Sequence, residues 1–228
     1  MPQRPDTSNV PSHVFVETNW VVDYCAPAHF KVPQAVQLLE KAQQGELTLH
    51  LPSICVPEAR IVIRQRFDPV KQIASFLKYL RWARESGALS PEDDVVVRRT
   101  LDTYQATAVA EFTRIEASLK QLLVTSGLKV FPLNEDMLIG SLNLAGEQLD
   151  LHPFDVSVLA AVLGRAAELK AEDATAELFF CERDSDLQPW SKLGSYRPRL
   201  RELYDAARVW VYGDYGMSSH ERPKEWQR

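Results

Sequence analysis

The chain has 228 residues, 45% of them hydrophobic and 25% charged, enough for one large globular domain or two small ones with a sizeable core. A formal net charge of −5 provides no global attraction to nucleic acid, so any such contact must come from a local basic surface. No apolar run approaches the roughly 20 residues of a membrane helix, and the polar, proline-bearing lead-in at 1–13 carries no apolar signal-peptide core.

In chain order, VFV at 14–16 reads as a short buried strand that runs directly into Glu17. A helix follows over 33–44, with Gly45 as its stop, then an alternating strand at 47–51. Ser53 has the chemistry of a helix cap for a helix reaching Phe67, and 69–87 is amphipathic. SPEDD at 90–94 is the sharpest helix start: a capping serine, a first-turn proline and three acids suited to the helix dipole. From there Val97, Leu101, Tyr104, Ala108, Ile115, Leu119 and Leu122 form an apolar stripe that ends before Gly127. Unbroken, that helix is roughly 50 Å long, which predicts either a break or a protruding arm. The stripe also predicts a dimer surface, since an exposed apolar face of that length is normally covered by a partner.

A third strand is expected at 128–133, helices at 134–144 and 154–172, a fourth strand at 177–184, a helix ending near Ala207 and a fifth strand at 208–212. Residues 1–12 and 214–228 read as flexible tails. Strands alternating with helices imply an α/β fold with a parallel sheet of about five strands flanked by helices, and a helical insertion over 68–127. Cys25, Cys55 and Cys181 are widely spaced in apolar surroundings, which suits buried thiols in a reducing cytoplasm. His50 and His152 lack metal-ligand spacing and are expected to be structural, and Trp20 and Trp210 are expected in the core.

In open α/β sheets, function gathers at the carboxyl ends of the strands. The first strand ends at Glu17, and the fourth ends in Glu182, Asp184 and Asp186. Glu58 and Asp155 open helices just after prolines. Four carboxylates from distant segments can therefore meet at one sheet edge, where their repulsion calls for a cation. Hard oxygen donors select Mg²⁺ or Mn²⁺, the equipment of phosphodiester hydrolysis. Nucleotide-binding glycine loops and a G-x-S-x-G elbow are missing from the sequence.

These segments resemble the PIN-domain nucleases. ETNW at 17–20 is similar to their DTN opening, PEARIVI at 57–63 to their glutamate-bearing helix, HPFDVSVLAAVL at 152–163 to their D-x-x-x-x-A helix, FFCERDSDL at 179–187 to their T-x-D-x-D-F strand end, and RVWVY at 208–212 to their last strand. The resemblance covers about 13–67 and 128–213, in the family's order. It implies a PIN-like three-layer fold over 13–213 and a Mg²⁺- or Mn²⁺-dependent ribonuclease, in many members a VapC-type toxin paired with a small antitoxin protein. Carried over, it implies catalytic Glu17, Glu58, Asp155 and Asp184, with Glu17, Asp155, Asp184 and the auxiliary Asp186 on the metal and Asn19 in support. Glu17 replaces the usual Asp, and Cys181–Glu182 stand where a small hydroxyl residue is usual. Arg60 and Arg64, near Glu58, are the candidates for RNA phosphates. A non-catalytic PIN-like module that binds RNA or a protein is the competing expectation.

Overall fold

The computed structural model describes residues 12–147, 149–183, 185–191 and 195–217, with the backbone alone at 70–72. Its centre is a sheet of β1 (Ser12–Phe15), β2 (Leu47–Pro52), β3 (Leu128–Phe131), β4 (Leu178–Cys181) and β5 (Val209–Tyr212). All four pairings are parallel, in the order β3-β2-β1-β4-β5. Helices α1 (Thr18–Cys25), α2 (Pro33–Gln43), α3 (Cys55–Phe67), α4 (Val70–Glu85), α5 (Pro91–Leu122), α6 (Glu135–Ala145), α7 (Pro153–Glu172) and α8 (Pro198–Ala207) flank it. This is the expected three-layer α/β fold, consistent with a PIN-like architecture. Strands buried on both faces need near-continuous apolar runs. Val14, Phe15, Leu49, Leu51, Leu178 and Phe180 supply them and are fully buried.

The chain order places the reversal of the sheet between β1 and β4. From β1 the chain builds outward through β2 to β3, then crosses back through α6 and α7 to lay β4 on the other side of β1, with β5 beyond it. In open parallel sheets that reversal leaves a crevice at the carboxyl ends of the two central strands.

Helix α5 is a single uninterrupted rod of 32 residues. Ser90 caps it as expected, its hydroxyl accepting from Asp93 N at 3.0 Å. Thr100, Thr103, Thr107 and Thr113 each donate to the carbonyl four residues earlier, which keeps these β-branched polar side chains satisfied inside a helix. The stripe faces inward except at Tyr104, which is 52% exposed. Ile115, Leu119 and Leu122 are in the core, while Val97, Leu101 and Ala108 are half-buried. Helix α5 packs against α4 in its outer part and against α1 and α3 nearer the core, so most of the stripe is covered by the chain itself and does not by itself require a second copy.

Three expectations differ from the structure. Helix α1 was not expected, because WVVDYC is rich in β-branched and aromatic residues; it forms because Glu17 caps it, with Oε1 accepting from Asn19 N at 2.7 Å, and because Trp20 seats its ring in the core and donates from Nε1 to Ala35 O at 3.2 Å. Ser53 does not cap α3: the N-cap is Ile54, with no side-chain cap bond. Finally, the C-terminal tail does not begin at 214, since Tyr215 is buried against the core and Met217 packs on it. The rest of both expected tails, 1–11 and 218–228, lies outside the described residues.

A buried polar pair crosses β1 and β2. His13 Nδ1 and His50 Nε2 are 3.0 Å apart, and His50 has no exposed surface. Burial, then the cations around it (His13, Arg165 and Lys129), lowers His50 from 6.5 to about 3, and burial also lowers His13. Both bases titrate lower when folded, so the unfolded chain takes up more protons as the pH falls below about 6.5. Stability is therefore fully present above that value and declines as the pH falls towards 3. We expect Tm to fall between roughly pH 7 and pH 4.5, and to fall less steeply in His50→Leu. Equal slopes in the two proteins would show that the pair does not govern acid sensitivity.

Candidate active site

Parallel register places Phe15 beside Phe180, so two residues further on Glu17 and Glu182 occupy equivalent places at the carboxyl ends of the two central strands. Adjacent strands lie about 4.8 Å apart. The chain stays extended at both positions: Glu17 has φ −131° and ψ −165°, and Glu182 N donates to Tyr212 O at 2.8 Å. Both glutamates are buried, Glu17 at 5% exposure and Glu182 at 0%. Two carboxylates withdrawn from water this close together destabilise each other unless a proton or a cation intervenes.

Thr18, the first residue of α1, donates its hydroxyl to Glu58 Oε2 at 2.6 Å, which ties the first turn of α3 to the end of β1. Glu17 and Glu58 both act on Cys55, whose thiol is raised well above its usual value, first by burial and then by Glu17, with Glu58 adding a smaller effect. On the other flank Tyr215 donates to Asp23 Oδ2 at 3.1 Å, and Arg183 Nη1 pairs with the same oxygen at 2.7 Å. The Tyr215 hydroxyl is strongly raised by burial, then by Asp23, Glu17 and Glu182, so all three acids act on one buried ring.

Asp155 is half-buried in the first turn of α7. His13, at the start of β1, feels Arg165, Glu172 and Asp173, so the later part of α7 lies at the amino edge of the sheet. Asp155, in the first turn, stands at the other end of α7 from Glu172. Asp184 lies outside the described residues. Asp186 is exposed on the loop that follows β4. That loop is anchored by Gln188 Nε2 donating to Glu182 O at 2.8 Å, by Tyr204 donating to Leu187 O at 2.9 Å, and by Arg197 donating to the carbonyls of Ser185 and Asp186.

Glu17 and Glu182 thus share one edge, with Glu58 tied to it through Thr18, but among the described residues no three His, Cys, Asp or Glu side chains stand close enough to hold a metal ion. Asn19 reaches Glu17 through its backbone N–H, not its amide group. Arg60 and Arg64 are exposed and pair with Glu116 of α5, at 3.7 and 3.0 Å. Surface pairs of this kind contribute little to stability. Glu182 was not singled out from the sequence above its neighbours 184 and 186; the signal that identifies it is the β1–β4 register. Cys25, Cys55 and Cys181 are buried thiols outside any disulfide, as expected, and burial pushes Cys25 up to about 12. No family model, curated protein or solved structure matches the chain. No helix among the described residues is long and apolar enough to cross a membrane.

Proposed function

We propose that the chain is a divalent-metal-dependent ribonuclease of PIN type, acting at the carboxyl edge of β1 and β4. One observation carries this reading: two buried glutamates stand side by side at the reversal point of a parallel sheet, with Glu58 joined to them through Thr18. The donor chemistry fits a hard cation, since the candidates are all carboxylates; Glu17, Glu182 and Asp155, with Asp184 and Asp186 from the following loop, would hold it. Bound there, Mg²⁺ or Mn²⁺ would supply a water of lowered pKa and charge compensation for the phosphate. The chain itself holds the carboxylates apart from bulk water and places Arg183 at the rim, where a phosphate oxygen can meet a cation. Cytoplasmic action on RNA, under a small antitoxin and as a homodimer, completes this reading as it follows from the resemblance.

A second reading has its own observation. Glu17 caps α1 and Glu58 accepts from Thr18, so both acids hold structural bonds that an inert RNA- or protein-binding module also needs. The two readings separate on the full-length protein, with Mn²⁺ or Mg²⁺ compared against EDTA. The nuclease reading expects a Tm rise of several degrees with Mn²⁺ and RNA cleavage only when the ion is present. Asp155→Asn should remove the cleavage and leave Tm equal or slightly higher. No thermal shift, no cleavage and an Asp155→Asn protein that unfolds would leave the binding module standing.

A further inference from the structure

Beside the carboxylate edge lies a cleft of about 850 Å³ that the site above does not use. Its walls are the 26–30 segment after α1, the elbow between α3 and α4, and the 104–115 face of α5, so it exists only because of the helical insertion. Asp23 lies at its margin and also touches Tyr215, which places the cleft next to Glu17 and Glu182.

The lining combines flat apolar surface with charged side chains. Phe30 is 61% exposed, an unusual state for a phenylalanine, and is held by a stacked contact with Phe67, with ring centres 6.2 Å apart, and by a tilted contact with the His29 ring at 4.2 Å. Tyr104, on the facing helix, is 52% exposed. The lining carboxylates are both paired, Asp23 with Arg183 and Glu111 with Arg114. Arg66 is exposed and has no carboxylate partner among the described residues, while Arg60 and Arg64 just above share the single Glu116. Charges in the lining balance, Asp23 and Glu111 against Arg66 and Arg114, and the cleft offers exposed aromatic rings beside one exposed arginine that holds no ion pair among the described residues. Polyanions with flat apolar faces match that chemistry, and a purely apolar peptide leaves Arg66 unused.

We propose that this cleft receives unpaired nucleotides of the RNA, with bases stacking on Phe30 and Tyr104 and Arg66 on a phosphate. The proposal rests on the nuclease reading for the direction of the strand, but its binding test does not depend on cleavage. A duplex offers no free base face for Phe30 or Tyr104, because its bases are already stacked on one another.

The test uses the full chain, EDTA, and a fluorescently labelled, ribose-methylated, non-cleavable RNA of about ten nucleotides. Phe30→Ala and Tyr104→Ala should each weaken binding about five- to a hundredfold, with Phe30→Trp restoring it. Arg66→Gln should weaken binding to all sequences and reduce the slope of log affinity against log salt by about one. The same sequence as a duplex should bind more weakly than the single strand. Far-ultraviolet circular dichroism checks that the variants, altered at exposed positions, remain folded. If the wild type binds no single-stranded RNA, prefers duplex, or binds equally well after both aromatic substitutions, the proposal is overturned and the cleft is left to an apolar peptide. Loss of binding in the variants together with no cleavage by the wild type would keep this proposal and remove the nuclease reading. Cleavage with unaltered binding would do the reverse.

Discussion

Under the proposed nuclease function, Glu17→Gln is expected to lose metal-dependent RNA cleavage by at least about a hundredfold while keeping or raising Tm. The activity estimate follows from metal sites elsewhere, where disturbing only a ligand's hydrogen-bond partner already costs about ten- to a hundredfold. The stability estimate follows from two facts. Glutamine keeps an oxygen where Oε1 accepts from Asn19 N at 2.7 Å, so the cap on α1 survives. It also removes one of two like charges buried at 5% and 0% exposure, relieving a repulsion that no bulk water screens. Glu17→Ala should differ, because it deletes the cap as well and costs about 1 kcal/mol. Glu17→Asp tests fit: a carboxylate drawn back by roughly an ångström costs about a hundredfold if the site is shaped around glutamate. A gain of activity in Glu17→Asp would instead mark Glu17 as a degraded ligand. A Glu17→Gln protein that cleaves like the wild type but melts several degrees lower would reduce Glu17 to a helix cap.

Gly127→Ala should be the most damaging glycine-to-alanine change among the described glycines whose added Cβ would meet main chain and not a movable side chain. Gly127 joins the end of the α5 segment to β3 at φ +86°, where an L side chain costs about 1–2 kcal/mol. A Cβ there would also stand 2.5 Å from the backbone carbon and oxygen of Ala42 in α2, and no rotamer change can move backbone aside. Nor can Gly127 retreat, because its carbonyl accepts from Leu49 N at 2.9 Å in the β2 ladder. Adding strain of about 1–3 kcal/mol gives a loss of about 2–5 kcal/mol, and a Tm drop of about 4–20 °C for a chain of this size. Gly45→Ala is the internal control: φ is +80°, but nothing lies within 4 Å, so only the backbone penalty remains. Equal melting of the two variants would show that contact with α2 is not what requires glycine at 127.

The strands around Val14, Leu49 and Phe180 were legible because burial on both sheet faces demands apolar runs, and nothing else in the chain produces them so briefly. Ser90 was legible because a cap, a first-turn proline and three acids all point to one boundary. Helix α1 was not, because its propensity is poor and its formation depends on Glu17 as a cap and on burial of Trp20, which are tertiary facts. The site divides along the same line. Glu17, Glu58 and Asp155 could be found from their places at element ends. Glu182 required the register between strands 165 residues apart, and the pairing of Arg60 and Arg64 with Glu116 required knowing which way α5 returns across α3. Tyr215 escaped because one aromatic residue in a polar stretch carries no periodic signal.

The unbroken course of α5 has a mechanical consequence. Its inner end is clamped from Ile115 onward, and no glycine or internal proline softens the rod outside that point. From Ile115 back to Pro91 is about 36 Å, so a tilt of about ten degrees at the clamp displaces the tip by about 6 Å and Tyr104 by about 3 Å. The distal end and the cleft wall are thus parts of one lever. Because α4 packs on α5, a force applied to the exposed Phe76, Tyr79 and Trp82 of α4 would reach the cleft wall that faces Phe30 without touching it.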